Sequence, residues 1–188
     1  KSSVTNFAGG TISGGTFEST GSVTNNAIGT ISDSIFMGDV TNNTKGHINR
    51  GTFNSDKTVT NYGTISSGTF QNGCSVTNYG TISDGTFQNT CSVTNKNTGT
   101  NTGTISGGTF QNTCSVENWG IIDGKGTFNG KVTNNQRGNI TNGTFEQEVI
   151  NNAGGEISGG TFAGGVNNYD GHIFGGVFNG NTALTGAR

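Results

Sequence analysis

Proline is absent from this 188-residue chain, methionine and tryptophan occur once each, and cysteine occurs three times. Hydrophobic residues make up only 28% and charged residues only 11%. Each shortage excludes something. So few charges do not fit a charged disordered chain, and so few apolar residues do not fit an ordinary globular core. A net charge of −2 gives no basic footprint, so nucleic acid is not an expected partner. Nowhere does an apolar run approach the ~18 residues of a membrane span, so no membrane insertion is expected. The two histidines, His47 and His172, lie far apart, which argues against a Cys/His metal centre, and no cofactor is expected. The chain opens KSSV, without an initiating Met or an export signal, and reads as a mature or excised piece of a longer array.

What is present is periodic. Glycine accounts for 35 positions, and most of the rest is Asn, Thr and Ser. Aligned on V-x-N, the sequence divides into ten units that begin at Val4, Val23, Val40, Val59, Val76, Val93, Val116, Val132, Val149 and Val166. Every unit then supplies one Ile (Ile12 through Ile173) and closes on one Phe (Phe17 through Phe178). Ile and Phe are five residues apart in nine units and six apart in the seventh, and the commonest full period is seventeen. One apolar residue every five or six, flanked by Thr or Ser and punctuated by Gly, cannot form the apolar stripe of a helix. It suits three short strands per coil, each turning one large side chain inward. The expected fold is therefore all-β: a single-stranded, triangular parallel β-helix (β-solenoid) of ten coils, about seventeen residues each, forming one domain over residues 1–188.

Asn follows Val by two in every unit, from Asn6 to Asn168. The residue between points outward, so Asn points inward at a corner. There its amide can bond to the amides above and below, and its tolerance of the left-handed region suits a sharp turn. Glycine two to four residues later marks a further turn.

The stretch V-T-N-Y-G-T-I-S at 59–66, with its variants at 42–48 and 151–157, resembles the N-x-G-x-I-x repeats of filamentous haemagglutinin-type bacterial surface proteins. The resemblance covers all ten units, while the constant Phe and the seventeen-residue period depart from that family's usual coil. It implies a right-handed β-helix in a secreted adhesin. Sides of five or six residues are also those of a triangular left-handed helix.

Outward hydroxyls form ranks. Ser and Thr flank the first Val strands as Ser22/Thr24, Thr58/Thr60, Ser75/Thr77 and Ser92/Thr94, and the pattern decays to Glu148/Ile150. Before Phe stand Thr52, Thr69, Thr86, Thr109, Thr127, Thr144 and Thr161, with Ile35 and Val177 interrupting the rank nearer the ends. Such ranks are similar to those of β-solenoid ice-binding proteins; the plainer reading is that Thr is a good exposed strand residue. Tyr62, Tyr79, Trp119 and Tyr169 follow the ladder Asn and form a candidate ligand-contact column that could stack on sugar rings; bracing of the corner is the alternative.

Cys74, Cys91 and Cys114 recur two residues before Val in three successive units, and stacked coils would hold their Cβ vectors parallel, against disulfide formation. Asp33, Asp84 and Asp123 fall in units two, five and seven, so no acid/base pair emerges; Glu117, Trp119, Asp123 and Lys125 in unit seven form the one mixed patch. Sequons at Asn42, Asn139 and Asn142 are unsurprising in so Asn-rich a chain, and residues 96–101 should bulge from coil six as a polar loop. No catalytic, cofactor or metal residue is assigned. The functional expectation is a non-enzymatic structural or adhesive region of a bacterial secreted or cell-surface protein, with surface glycans or neighbouring repeats as partners. The alternatives are an ice-binding solenoid and a glycan-binding or glycan-processing β-helix.

Overall fold

Three parallel strand columns run the length of the molecule, one for each apolar residue of the repeat. The computed structural model describes residues 3–18, 21–54 and 56–185, and no helix occurs among them. Val strands such as Val23–Asn25 and Val132–Asn134 pair in order into an eleven-stranded parallel sheet. The register joins like to like: Val4 to Val23, Val76 to Val93 and Val149 to Val166. Ile strands and Phe strands form their own parallel ladders, with Ile82 opposite Ile105 and Phe87 opposite Phe110. In coils three and four the two columns fuse into the long strands His47–Phe53 and Thr64–Phe70.

Side-chain alternation does the folding work. Each short strand turns one apolar residue inward and its neighbours outward. Val, Ile and Phe from coils two to nine are buried, while Val4, Ile12, Phe17, Ile173 and Phe178 of the end coils are half-buried against them. The phenyl rings stack in one continuous column, with centroids 4.3 Å apart for Phe70–Phe87 and Phe87–Phe110. Coils at the usual strand spacing of ~4.8 Å bring stacked rings into van der Waals contact, so a thin core is filled without large apolar content.

The Asn ladder is complete. Each Nδ2 from Asn6 to Asn151 donates to the Oδ1 of the next ladder Asn, at 2.6–2.9 Å. Most also donate to a glycine carbonyl of their own coil and to a carbonyl of the next, as Asn78 does to Gly80 at 3.0 Å and Thr104 at 3.1 Å. The expected left-handed conformation falls elsewhere. The ladder Asn residues lie within or at the ends of strands, and the positive φ comes three residues later, at Gly9, Ile28, Lys45, Arg137 and Gly154. The next glycine is there for space: a Cβ on Gly29 would stand 2.6 Å from Asn25 Oδ1 and 2.9 Å from Asn6 Nδ2. The glycine before Thr-Phe has a related role, since a Cβ on Gly51 would stand 2.8 Å from the Phe36 ring.

Beyond the ten units, Thr182–Thr185 adds an eleventh strand to the Val sheet, placing Thr182 opposite Val166 and Leu184 opposite Asn168. Residues 186–188, which follow it, lie outside the described residues.

Candidate functional site

Turn geometry places the candidate column on an outer corner. The residue after each ladder Asn, from Phe7 to Asn152, leaves the strand, whereas Tyr169 ends its own strand; several neighbours in this row interact in pairs. Asn43 donates to Asn26 at 2.9 Å. The rings of Tyr62 and Tyr79 stack at 4.7 Å and 4°. The Lys96 ammonium sits 4.3 Å from the centre of the Trp119 ring, and Asn152 donates to Asn135 at 2.9 Å. Tyr169, exposed, stands three coils from Trp119 and is not brought to it. The sequence signal for Lys96 is its place directly after Asn95, in the same row as the aromatics.

That geometry decides what the column can offer. Parallel rings separated by one coil turn their faces largely along the rod, and each covers one face of the other. What points outward is ring edge and phenolic hydroxyl, so a sugar would meet a hydrogen-bonding edge more readily than a flat apolar platform.

The threonine rank is in register from end to end. Thr52, Thr69 and Thr86 pair in sequence, followed by Thr109, Thr127, Thr144 and Thr161. Ile35 and Val177 flank it at either end. A shallow polar groove borders Thr52, Thr69 and Thr86, with Arg50 and Asp84 among its lining residues. A second rank, Thr24, Thr41, Thr60, Thr77 and Thr94, crosses the Val sheet and ends against Glu117.

Asp33, Asp39 and Asp84 are committed to local contacts. Arg50 grips Asp33 in the adjacent coil through two hydrogen bonds of 2.7 and 2.9 Å, and holds that carboxyl below its ordinary value. Asp39 accepts from the Thr58 backbone N–H at 3.0 Å and its hydroxyl at 2.9 Å, which lowers its pKa likewise. Asp84 accepts from the Gly85 N–H at 2.8 Å. Glu117, Asp123 and Lys125 of the mixed patch are all exposed. Among the described residues no three metal-ligating side chains converge on one point.

The loop of coil six is a small turn of its own: Asn97 bridges Thr102 in antiparallel fashion, and the Thr98 N–H reaches the Asn101 carbonyl at 2.9 Å. Of the three sequons, Asn42 is buried in the ladder, where no sugar fits, and Asn142 is exposed.

All three cysteines are free and buried. The Cys91 thiol donates to the Gln71 carbonyl at 3.1 Å. Hydrogen bonding to Cys91 and then burial push the Cys74 and Cys114 thiols well above the usual range. Cys91, receiving the Cys114 and Cys74 thiols, is held below it, making it the sulfur of the three that ionises first.

The architecture defines a parallel β-solenoid built from Val, Ile, Phe and Asn ladders. Among solved structures it is similar to a TibA adhesin fragment, residues 55–350, crystallised in a form hyper-glycosylated by TibC. The two superpose with a TM-score of 0.65 at 15% identity, over 97% of this chain and 73% of that one. At that identity the likeness establishes the fold. No protein-family model and no curated protein matches the sequence.

Proposed function

We propose that this protein is a non-enzymatic structural or adhesive rod of a bacterial secreted or cell-surface protein. The observation that carries the reading is the complete use of the interior. Val, Ile, Phe and Asn from each inner coil are consumed by their own ladders, so variation is confined to outward rows that can be changed without disturbing the fold. The likeness to an adhesin fragment of the same architecture supports it. The contact surface is the corner bearing Tyr62, Tyr79, Lys96 and Trp119, together with the coil-six turn beside it, and the partner is a surface glycan held by hydroxyl and edge contacts. Glycan-array binding should be lost when Tyr62, Tyr79 and Trp119 are all replaced by alanine; unchanged binding would sink the assignment of this corner.

The unbroken register of the threonine rank favours one second reading, adsorption to ice. Thermal hysteresis that disappears when Thr69, Thr86 and Thr109 are made bulky would replace adhesion with ice binding. None is expected, because His47, Glu156 and His172 break the neighbouring rank before Ile.

A further inference from the structure

Cysteine is confined to one place. It stands two residues before the ladder Val in coils four, five and six, where other coils carry Gly, Lys57 or Gln147. The register of the following residues, Ser75 to Ser92 to Ser115, stacks Cys74, Cys91 and Cys114 directly over one another. Each side chain is at most 1% exposed. Three sulfurs in a straight row cannot surround one ion, which excludes the tetrahedral arrangement zinc requires.

The spacing suits another chemistry. In the same three coils Phe70, Phe87 and Phe110 repeat at 4.3 Å, close to the general ~4.8 Å strand separation. Two metal–sulfur bonds of ~2.3 Å laid end to end span ~4.6 Å. A disulfide needs sulfurs at ~2.0 Å on converging Cβ vectors, which parallel stacking disfavours. We propose that the row Cys74–Cys91–Cys114 binds a soft d10 cation that takes two collinear sulfur ligands, bridging Cys91 and one of its two neighbours.

The surroundings agree with this. Cys91 points its S–H at the carbonyl oxygens of Gln71 (3.1 Å) and Phe70 (3.4 Å), dipoles that welcome a cation in place of the proton. The covering turns, Asn72–Gly73, Asn89–Thr90 and Asn112–Thr113, are short and polar, so an ion reaches the sulfurs by flexing two residues. With a mercuric ion, two S–H bonds break, two Hg–S bonds form and two protons pass to the buffer, leaving a neutral unit that burial does not penalise. Thiolate softness selects such ions over magnesium or calcium.

Mercuric ion is the probe. Reduced protein is loaded in the presence of excess monothiol, desalted and weighed by native mass spectrometry, with thermal midpoints followed in parallel. Wild type, Cys74→Ser and Cys114→Ser should each retain one mercury per chain and melt higher with it, because each keeps an adjacent pair. Cys91→Ser should retain none, since its remaining sulfurs are two coils apart. The double variant Cys74→Ser/Cys114→Ser should also retain none, and serves equally if Cys91→Ser fails to fold. Retention by Cys91→Ser or by the double variant at the wild-type level, or a wild-type midpoint that falls on adding mercury, would overturn the proposal.

Discussion

The side-chain Nδ2 of Asn61 donates to Oδ1 of Asn78 at 2.8 Å, inside a corner where both residues are fully buried. It is one link in a chain of amides that continues unbroken through ten coils. A buried amide that loses its partner retains its desolvation cost, about 1–3 kcal/mol for each stranded group. Asn78→Ala strands the Asn61 donor and the Asn95 acceptor together, so it should destabilise the rod by about 2–4 kcal/mol. Urea unfolding checks this, and a loss below about 1 kcal/mol would mean that water replaces the ladder.

Ile28 and Gly29 should respond in opposite directions. Ile28 is a β-branched residue at φ 65° and is 64% exposed. A left-handed L-residue costs about 1–2 kcal/mol, and Asn bears it better. Ile28→Asn should therefore raise the melting temperature, by the equivalent of about 1 kcal/mol. Gly29→Ala should lower it by about 1–3 kcal/mol, because the new methyl group falls on the Asn25 and Asn6 amides.

The phenyl column makes a third prediction. Phe110 is fully buried between Phe87 and Phe128, at 4.3 and 4.5 Å. Phe110→Ala should cost about 3–5 kcal/mol, and Phe110→Asp more, because it buries an unpaired charge. Coils contact only their neighbours, so hydrogen exchange should accelerate around coils five to seven before the ends respond. Uniform acceleration along the whole rod would contradict nearest-neighbour coupling.

Acid should loosen the molecule through Asp39. Its native pKa lies below the ordinary 3.8 because Thr58 donates twice to the ionised form. A lowered native pKa contributes stability that is fully present above the unfolded value and is lost as pH falls through the native one. Urea midpoints should hold steady down to about pH 4 and then decline, and Asp39→Asn should decline less steeply. Asp33 follows the same sign through Arg50, but both side chains are largely exposed and the contribution is small.

The repeat by itself determined the architecture. Val, Ile and Phe recur at spacings that only short parallel strands can satisfy, because a strand turns alternate residues inward and stacking places identical residues in register. The Asn ladder was equally legible, since one polar residue per coil at a fixed offset from an inward valine must meet its own copies. What the sequence did not show is which glycine turns and which makes room: Gly29 and Gly51 are small because an amide and a ring lie over them, a fact about neighbouring coils. The corner column also needed the tertiary structure. In sequence Tyr62, Tyr79, Trp119 and Tyr169 look like one surface, whereas stacking pairs the first two face to face, sets Lys96 on Trp119 and leaves Tyr169 apart. Identity and spacing determine what a repeat can stack upon. Which faces remain open depends on what occupies the same place one coil above and one coil below, and only three-dimensional register decides that.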